Sequence, residues 1–557
     1  MSTITEPSPL PREEQQPADD RPKADASMLE DQFPDWLKVS RGVTILTGVI
    51  GIIYFCLARL AIRNTDVWGH LAYGRWIIEH GRLPRTEPLM TLSQGVPWLD
   101  VAWLGKVAGL WVFDRFGVAG LQFLHAVPIT FAFAVLAWAM YRQTRSTGWT
   151  IAGLFLFGAI DYQQLLIQRP QDFGLACFAI TLVGGLRRVT GRSVWIGLPL
   201  MFAVWANIHG SFLVGLTVLA TAAVGGGLDV LWRTRDPIRA VRSSELWRPL
   251  LLLQLCAAAA LLNPAGLRIY ADAVRISANP NLSVLLDWSP LTLRVPQGMA
   301  FAAGVVLLAL VFRWSPRRLR TAEILLLVGF GCGTMWSVRM IVWFGCVAGY
   351  LFGVHGAAAW RAACGRGALP APPERRGLWT VATVGLVWIF FAYSPFGLQR
   401  IHGMPQGPDE AEYFVDNVVE RTPLAAVEYL HEHADNLPAG LMYNSQEWGD
   451  FLLWAGPRKF QPFVSSHVHL IPKEVWDDYL EMYDGGAFPE KFDRYGVNTV
   501  LVDTTNYMGL IRTLRDSDKW REVFQDPAGL AVLFVRNSAA PVAAGEAAAP
   551  AAEAAGH

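Results

Sequence analysis

An acidic side chain, an imidazole and a guanidinium follow the first apolar segment of the chain at close spacing. In the stretch RNTDVWGHLAYGR, Asp66 is followed by His70 and Arg75, and a helix would keep the three within about 14 Å along its axis. A carboxylate can accept a proton from a reacting group, whereas an aspartate before an apolar helix can also cap its N-terminus. The stretch therefore has two interpretations, an acid/base group or a helix start, and both roles can coexist.

Further candidate binding residues lie where apolar segments end. They are His70, Arg75, Arg169, Asp172, Asn207, His209, Arg268 and Arg339. Ionisable groups near membrane depth are costly and so are candidates for function. Each also has a structural interpretation: Arg169 can pair with Asp172, Asn207 and His209 can form a polar turn, and Arg75 can extend its head group to the interface.

The composition indicates a membrane protein. Hydrophobic residues make up 52% of the 557 residues, 17% are charged, and the mean hydropathy is +0.28. Those values are too apolar for a soluble protein of this length. Apolar runs near the ~20 residues that cross a bilayer predict about eleven spans, at 43–62, 118–140, 148–167, 171–187, 194–208, 211–231, 248–263, 298–313, 322–337, 339–357 and 377–394.

Arginines predict the orientation of these spans. They recur in every second connection, as in the segments 142–145, 187–192, 233–248, 313–320 and 361–376. By the positive-inside rule these connections and the N-terminus are cytoplasmic, and an odd span count places the C-terminal part outside. The net charge is zero without a basic block, which argues against a nucleic-acid partner.

The chain divides into four regions. We expect a disordered cytoplasmic tail at 1–40, a membrane region at 41–400, an extracytoplasmic α/β domain at 401–537, and a disordered Ala/Pro tail at 538–557. The fold class is thus mostly α, a polytopic helical bundle with a C-terminal α/β domain. In that domain the patterns predict helices at AAVEYLHEHA and MGLIRTLRDS and strands at GLMYNS, VNTVLVDTT, WREVFQD and GLAVLFVR.

The first outer loop, residues 63–117, carries two amphipathic stretches. In VWGHLAYGRWIIEHG and PWLDVAWLGKVAGLWVFDRFG, tryptophans and leucines recur near helical spacing with charges between them. This pattern predicts helices along the outer membrane interface.

These features resemble membrane glycosyltransferases of the C superfamily, which includes protein mannosyltransferases, aminoarabinose transferases and oligosaccharyltransferases, and more narrowly an uncharacterised bacterial branch. The matching stretches are NTDVWGHLAYGRWIIEHGRLP, TEPLMTLSQGVPWLDVAWL, QRPQDFGLA, WANIHGSF, LNPAGLRIY, YNSQEWGDFLLWAGP and WREVFQD. The similarity extends from about 43 to 537, and the order of these short motifs carries it.

The resemblance implies a function. A sugar would move, with inversion, from a polyprenyl-phosphate donor to a glycan, lipid or protein acceptor on the outer face of the bacterial inner membrane. Asp66 would be the general base, and Glu87 stands where relatives often carry a second acid. Some relatives use a divalent cation, and Asp66 with Glu87 could hold one. The pair His431 and His433 has no third ligand at metal spacing.

Three other functions remain open. An envelope-glycan ligase or polymerase would use a diphosphate-linked donor, and a transporter or flippase would also need many spans. A transporter usually shows two similar halves with broken helices, which this sequence lacks. A non-catalytic membrane scaffold would leave Asp66 replaceable.

The predicted topology can be tested with reporter fusions. Fusions made after Arg192 and after Phe396 should report opposite sides of the membrane, because the arginine distribution places the first in the cytoplasm. Signals from the same side would contradict the topology and would place Asp66 in the cytoplasm.

Overall fold

The computed structural model describes residues 31–537 apart from gaps at 64–65, 99, 187–190, 367, 406, 419–420, 484 and 487. The predicted terminal tails fall largely on 1–30 and 538–557, which lie outside the described residues. The fold is mostly α, with 69% helix, as predicted.

The elements are numbered in chain order. The helices are α1 Arg41–Leu57, α2 Asp66–His80, α3 Trp103–Thr144, α4 Thr147–Leu165, α5 Gln171–Leu186, α6 Arg192–Ile208, α7 Phe212–Thr234, α8 Pro237–Val241, α9 Ser244–Ala260, α10 Arg268–Ser277, α11 Pro296–Trp314, α12 Thr321–Trp336, α13 Ile341–Ala363, α14 Gly377–Ala392, α15 Pro395–His402, α16 Pro408–Asn417, α17 Leu424–Glu432, α18 Gly449–Ala455, α19 Lys473–Tyr483, α20 Phe488–Tyr495 and α21 Met508–Arg515. The strands are β1 Val39–Ser40, β2 Arg375–Arg376, β3 Gly440–Asn444, β4 Phe460–Pro462, β5 Val497–Asp503, β6 Trp520–Gln525 and β7 Ala531–Arg536.

The count of eleven spans is not confirmed. Among the described residues, α3, α7, α11 and the unit Val338–Ala363 are long and apolar enough to cross a membrane, and α14 with α15 would add a fifth across an 84° bend. Shorter apolar helices include α1 and α5, which have 17 and 16 residues. Hydropathy marks the apolar stretches but does not show where a helix ends.

Glycine 117 divides the long helix α3 into two limbs. Its φ of 54° and ψ of −148° lie outside the helical region, and glycine adopts such angles without a Cβ clash. The first limb includes most of the second amphipathic stretch of the predicted outer loop, and the second limb includes the predicted span 118–140. Both amphipathic stretches of that loop are thus helical, as predicted, since α2 covers the first.

Helices α4 and α13 pack closely through glycines. A methyl group built on Gly349 would lie 2.6 Å from the Gly153 carbonyl oxygen, and one built on Gly153 would lie 2.6 Å from that of Gly349. Gly345 and Gly353 continue the stripe along α13 at four-residue spacing, and both would also clash if they carried a methyl group. Small residues at this spacing let backbones approach and gain dispersion contacts where lipid supplies no hydrophobic driving force.

A short ladder joins the two ends of the helical region. Strand β1, just before α1, pairs antiparallel with β2, just before α14, with Val39 opposite Arg376. The starts of α1 and α14 therefore lie next to each other.

The C-terminal part contains a five-stranded sheet in the order β4-β3-β5-β7-β6. Strand β3 is parallel to β4 and β5, whereas β7 is antiparallel to β5 and β6. Helices α17 and α21 and strands β3, β5, β6 and β7 coincide with the predicted elements to within a few residues. Alternation and turn residues predicted these elements because they are bounded by clear turns, whereas α16, α18, α19, α20 and β4 were not predicted.

Helix α2 shares a hydrophobic core with the C-terminal part. Trp68 is 0% exposed, and its ring lies 5.5 Å from those of Phe414 and Phe451, 6.0 Å from Phe113 and 6.3 Å from Trp454. Such aromatic clusters add to the stability that burial supplies. The first outer loop and the region after residue 400 are therefore packed together.

The glycine stripe generates a stability prediction. Gly349→Ala should lower the thermal midpoint in detergent, because the methyl group must push α4 and α13 apart at a cost of about 1–3 kcal/mol. Gly329→Ala on α12 is the matched control, since a methyl group there has no heavy atom within 4 Å. Equal midpoints for the two variants would contradict the close packing of α4 on α13.

Candidate active site

Arg169 lies between two carboxylates from different parts of the chain. Asp66 begins α2, and its Oδ2 lies 3.8 Å from Arg169 Nε. Asp287 Oδ2 lies 2.6 Å from Arg169 Nη1. The Asp66 side chain keeps 32% of its exposure, so a reactant could reach this carboxylate.

A second arginine lies beside this group. Arg339 is in the short 3-10 turn Val338–Met340 before α13, and its guanidinium carbon lies 5.1 Å from the centre of the Trp288 ring. It is within electrostatic range of Arg169, Asp287 and Asp66. Two guanidiniums and two carboxylates therefore lie close together. Arginine side chains bind phosphate and carboxylate groups through charge-assisted hydrogen bonds, so this cluster is suited to an anionic ligand.

Two histidines near the arginines are held neutral. Burial lowers the pKa of His209 to about 3, and the charges of Arg339 and Arg169 act in the same direction. Burial also lowers the pKa of His70 well below its usual value, with Lys106 as the next cause. The Ser211 N–H donates to His209 Nδ1 over 3.1 Å, so the ring proton of the neutral imidazole is on Nε2. His209 can therefore donate a hydrogen bond without carrying a charge.

Lys106 is buried beside His70 and is surrounded by polar and aromatic partners. Its Nζ lies 2.8 Å from Asp100 Oδ2, with both side chains 3% exposed, and 4.7 and 4.6 Å from the ring centres of Tyr73 and Trp98. Its Nζ is also 3.4 Å from Nε2 of His467. A buried cation needs such partners, because an unpaired charge would carry a large desolvation cost.

The C-terminal part contributes Asp450 and His469 to the same cluster. Asp450 is 0% exposed, and a methyl group on Gly69 of α2 would lie 2.5 Å from its carboxyl carbon. Burial first, and then the negative charge of Asp66, raise the pKa of Asp450 well above its usual value, which favours its protonated form. Burial lowers the pKa of His469 to about 4, followed by the charges of Lys106 and Arg339.

Glu87 is held by its own turn. Its Oε1 accepts hydrogen bonds from the Tyr73 hydroxyl at 2.9 Å and from the N–H groups of Leu89 and Met90 at 2.8 and 3.0 Å. The side chain is 2% exposed, and burial raises its pKa. These contacts give Glu87 a structural task, and its role as a second acid stays a prediction.

Arg75 and Asp172 also have partners within the protein. The Arg75 guanidinium lies 3.6 Å from the Trp454 ring centre, so it packs on the C-terminal part. Asp172 does not form a side-chain pair with Arg169; its Oδ2 lies 2.7 Å from His125 Nδ1 and accepts the Arg169 backbone N–H at 3.2 Å. Asp172 thereby fixes the turn that carries Arg169.

Asn207 joins the ends of several elements. Its Oδ1 accepts from Trp103 Nε1 at 2.8 Å and from Asn263 Nδ2 at 3.2 Å, and the Asn263 amide also donates to the Val101 carbonyl at 3.1 Å. Arg268, by contrast, is exposed at the start of α10. Ligand binding by either residue stays a prediction.

No group of three His, Cys, Asp or Glu side chains in the described residues is arranged to hold a metal ion. Glu87 Oε1 accepts three hydrogen bonds, whereas its buried Oε2 has no hydrogen-bond partner among the described residues. A divalent cation held by Asp66 with Glu87 stays a prediction.

The sequence interpretation missed several members of this cluster. They are Asp100, Lys106, Asp287, Asp450, His467 and His469. Two local signals existed: the paired histidines of SSHVHLIP, and the acid in LLDWSP within an outer connection. Neither signal indicates the partner that makes the residue part of a site.

No protein-family model and no curated protein matches the chain. Similar solved structures include ArnT from Cupriavidus metallidurans bound to undecaprenyl phosphate, with 16% identity, 88% of this chain and 97% of that chain covered, and a TM-score of 0.46. The apo state of that protein has 15% identity, the same coverage of both chains and a TM-score of 0.47. The arabinofuranosyltransferase AftD from Mycobacteria has 14% identity and a TM-score of 0.47, with 91% of this chain and 42% of that chain covered.

ArnT and AftD are membrane glycosyltransferases of the C superfamily, the superfamily that the sequence motifs resemble. All three identities are 16% or less and all three TM-scores are below 0.5.

Proposed function

We propose that this protein is an integral-membrane glycosyltransferase that moves a sugar from a polyprenyl-phosphate donor to an acceptor on the outer face of the inner membrane. The observation that carries the proposal is the meeting of Asp66, Arg169 and Arg339, a carboxylate beside two guanidiniums. This set supplies a proton acceptor and a phosphate-binding pair, which are the two functions that the reaction needs.

The donor already contains a charged leaving group, so the chemistry is simple to state. Asp66 takes the proton of the acceptor hydroxyl or amide while the acceptor atom bonds to the anomeric carbon from the face opposite the phosphate. The bond from the anomeric carbon to the phosphate oxygen breaks, and its electron pair stays on that oxygen. The products are an inverted glycoside, polyprenyl phosphate and protonated Asp66.

The two arginines stabilise the charge that develops on the phosphate as this bond breaks. Arg169 and Arg339 come from different outer turns, so a phosphate placed between them would be held from two sides. Neutral His209 can add a hydrogen bond from its Nε2–H group. Preorganised donors of this kind are worth more in a partly buried site than in water.

The C-terminal part makes the neighbourhood of the base less polar. Asp450 covers the first turn of α2 at Gly69, and its protonated form avoids a second negative charge beside Asp66. We expect residues 401–537 to lie outside the membrane, to cover the site and to help select the acceptor, with Asp66 of the first loop as the base.

The role of Asp66 can be tested by substitution. Asp66→Asn keeps the size and much of the hydrogen bonding of a helix start but cannot accept the proton, so sugar transfer should fall on the order of 100-fold or more with little change in thermal midpoint. Transfer is measured with purified protein in liposomes, a panel of undecaprenyl-phosphate sugars and a membrane extract as acceptor.

Asp409→Asn is the matched control, because Asp409 is an exposed acid in the first turn of another helix, α16. It should keep the normal rate. Transfer at the normal rate by Asp66→Asn would show that Asp66 is only a helix cap and would refute the proposed base.

A further inference from the structure

The segment Leu286–Trp288 covers both arginines of the proposed phosphate site. Asp287 pairs with Arg169 at 2.6 Å, and the next residue, Trp288, lies under the guanidinium of Arg339 at 5.1 Å. Two adjacent side chains thus occupy the two cations that the donor phosphate would use.

The backbone of this segment is fixed to the turn that carries Arg339. The Val338 N–H donates to the Ser289 carbonyl at 2.9 Å, and the Ser337 hydroxyl donates to the Asp287 carbonyl at 3.3 Å. The Asp287 side chain retains 30% of its exposure. Rotation of this side chain can therefore free Arg169 without movement of the segment.

The ligand that Asp287 opposes follows from the charge change in the reaction. This step rests on the proposed function. The donor is a phosphodiester with one negative charge, whereas the released polyprenyl phosphate is a monoester with a charge of about −1.5 to −2 at pH 7. Two arginines that stabilise the departing phosphate also bind the product more strongly than the donor, so the product would stay in the site.

We propose that Asp287 is a product-release residue, an internal anion that competes with the lipid phosphate monoester for Arg169. As the product leaves, the carboxylate returns to the guanidinium and compensates its charge. A carboxylate tethered beside the site raises the free energy of the more highly charged ligand by more than that of the donor. Asp287 therefore selects against retained product with little penalty on donor binding.

The experiment compares product inhibition with donor affinity in Asp287→Asn. The inhibition constant for added undecaprenyl phosphate should fall about three- to fivefold, the range for a partly exposed ion pair, and the KM for the donor should fall less. Asp272→Asn is the matched control: Asp272 lies on α10 in the same outer connection and pairs with Arg275 at 3.6 Å. It should leave both constants unchanged.

Further arms identify the cause. Asp287→Ser removes the same charge with a smaller side chain and must give the same shift in a protein with a normal thermal midpoint. In an Arg169→Gln background the effect of Asp287→Asn should disappear. Undecaprenol, which lacks the phosphate, should bind equally to all variants, and inorganic phosphate shows whether the phosphate alone is sufficient for the effect.

The outcomes separate this inference from the proposed function. An inhibition constant that stays the same or rises in both Asp287 variants overturns the role in release, whatever the rate of transfer. A wild-type protein that transfers no sugar refutes the proposed function. The competition is then decided by the directly measured Kd for undecaprenyl phosphate, which must fall in Asp287→Asn.

Discussion

The candidate site depends on the groups that compensate the positive charge of Arg169. Its side chain pairs with Asp66 from the first turn of α2 and with Asp287 from the outer connection before α11, while its backbone N–H donates to Asp172 at the start of α5. When one partner of a buried ion pair is removed, the remaining charge is left unpaired away from water. The loss of stability is then larger than the net stability that the intact pair contributes. One residue therefore links the start of α2, the start of α5 and the connection before α11, and a ligand that binds the Arg169 side chain must replace at least one of its two carboxylate partners.

The residues with local signals could be predicted from the sequence. An acid before an amphipathic stretch predicts a helix start, and α2 begins at Asp66. The role of Asp66 as a base came from the family resemblance and stays a prediction. The short strands of the C-terminal part followed from alternation and turns. The break at Gly117 also coincides with a predicted boundary, since the amphipathic stretch ends there and the predicted span 118–140 begins after it. Hydropathy did not give the lengths of the other helices, as α1 and α5 have 17 and 16 residues.

Partnerships across the chain could not be predicted from the sequence. Asp287 lies more than a hundred residues from Arg169, and Asp450 reaches Gly69 from the opposite end of the molecule. Hydrophobic periodicity indicates which face of a helix is buried but not what covers that face. Glu87 illustrates the converse, since the turn TEPLM holds its carboxylate through N–H groups two and three residues ahead, a local pattern that already suggests a structural task.

The burial of Trp68 by Phe451 and Trp454 sets an order of events during synthesis. These partners follow Trp68 by 451 − 68 = 383 and 454 − 68 = 386 residues, which a ribosome adds in about 20–80 s at ~5–20 residues per second. Until they arrive, Trp68 lacks most of the rings that bury it, although Phe113, whose ring lies 6.0 Å away in the folded chain, is made early. Contacts between residues far apart in the sequence form late, and until then they leave apolar surface exposed that can aggregate. The hydrophobic core around α2 is therefore complete only after the last part of the chain has been made.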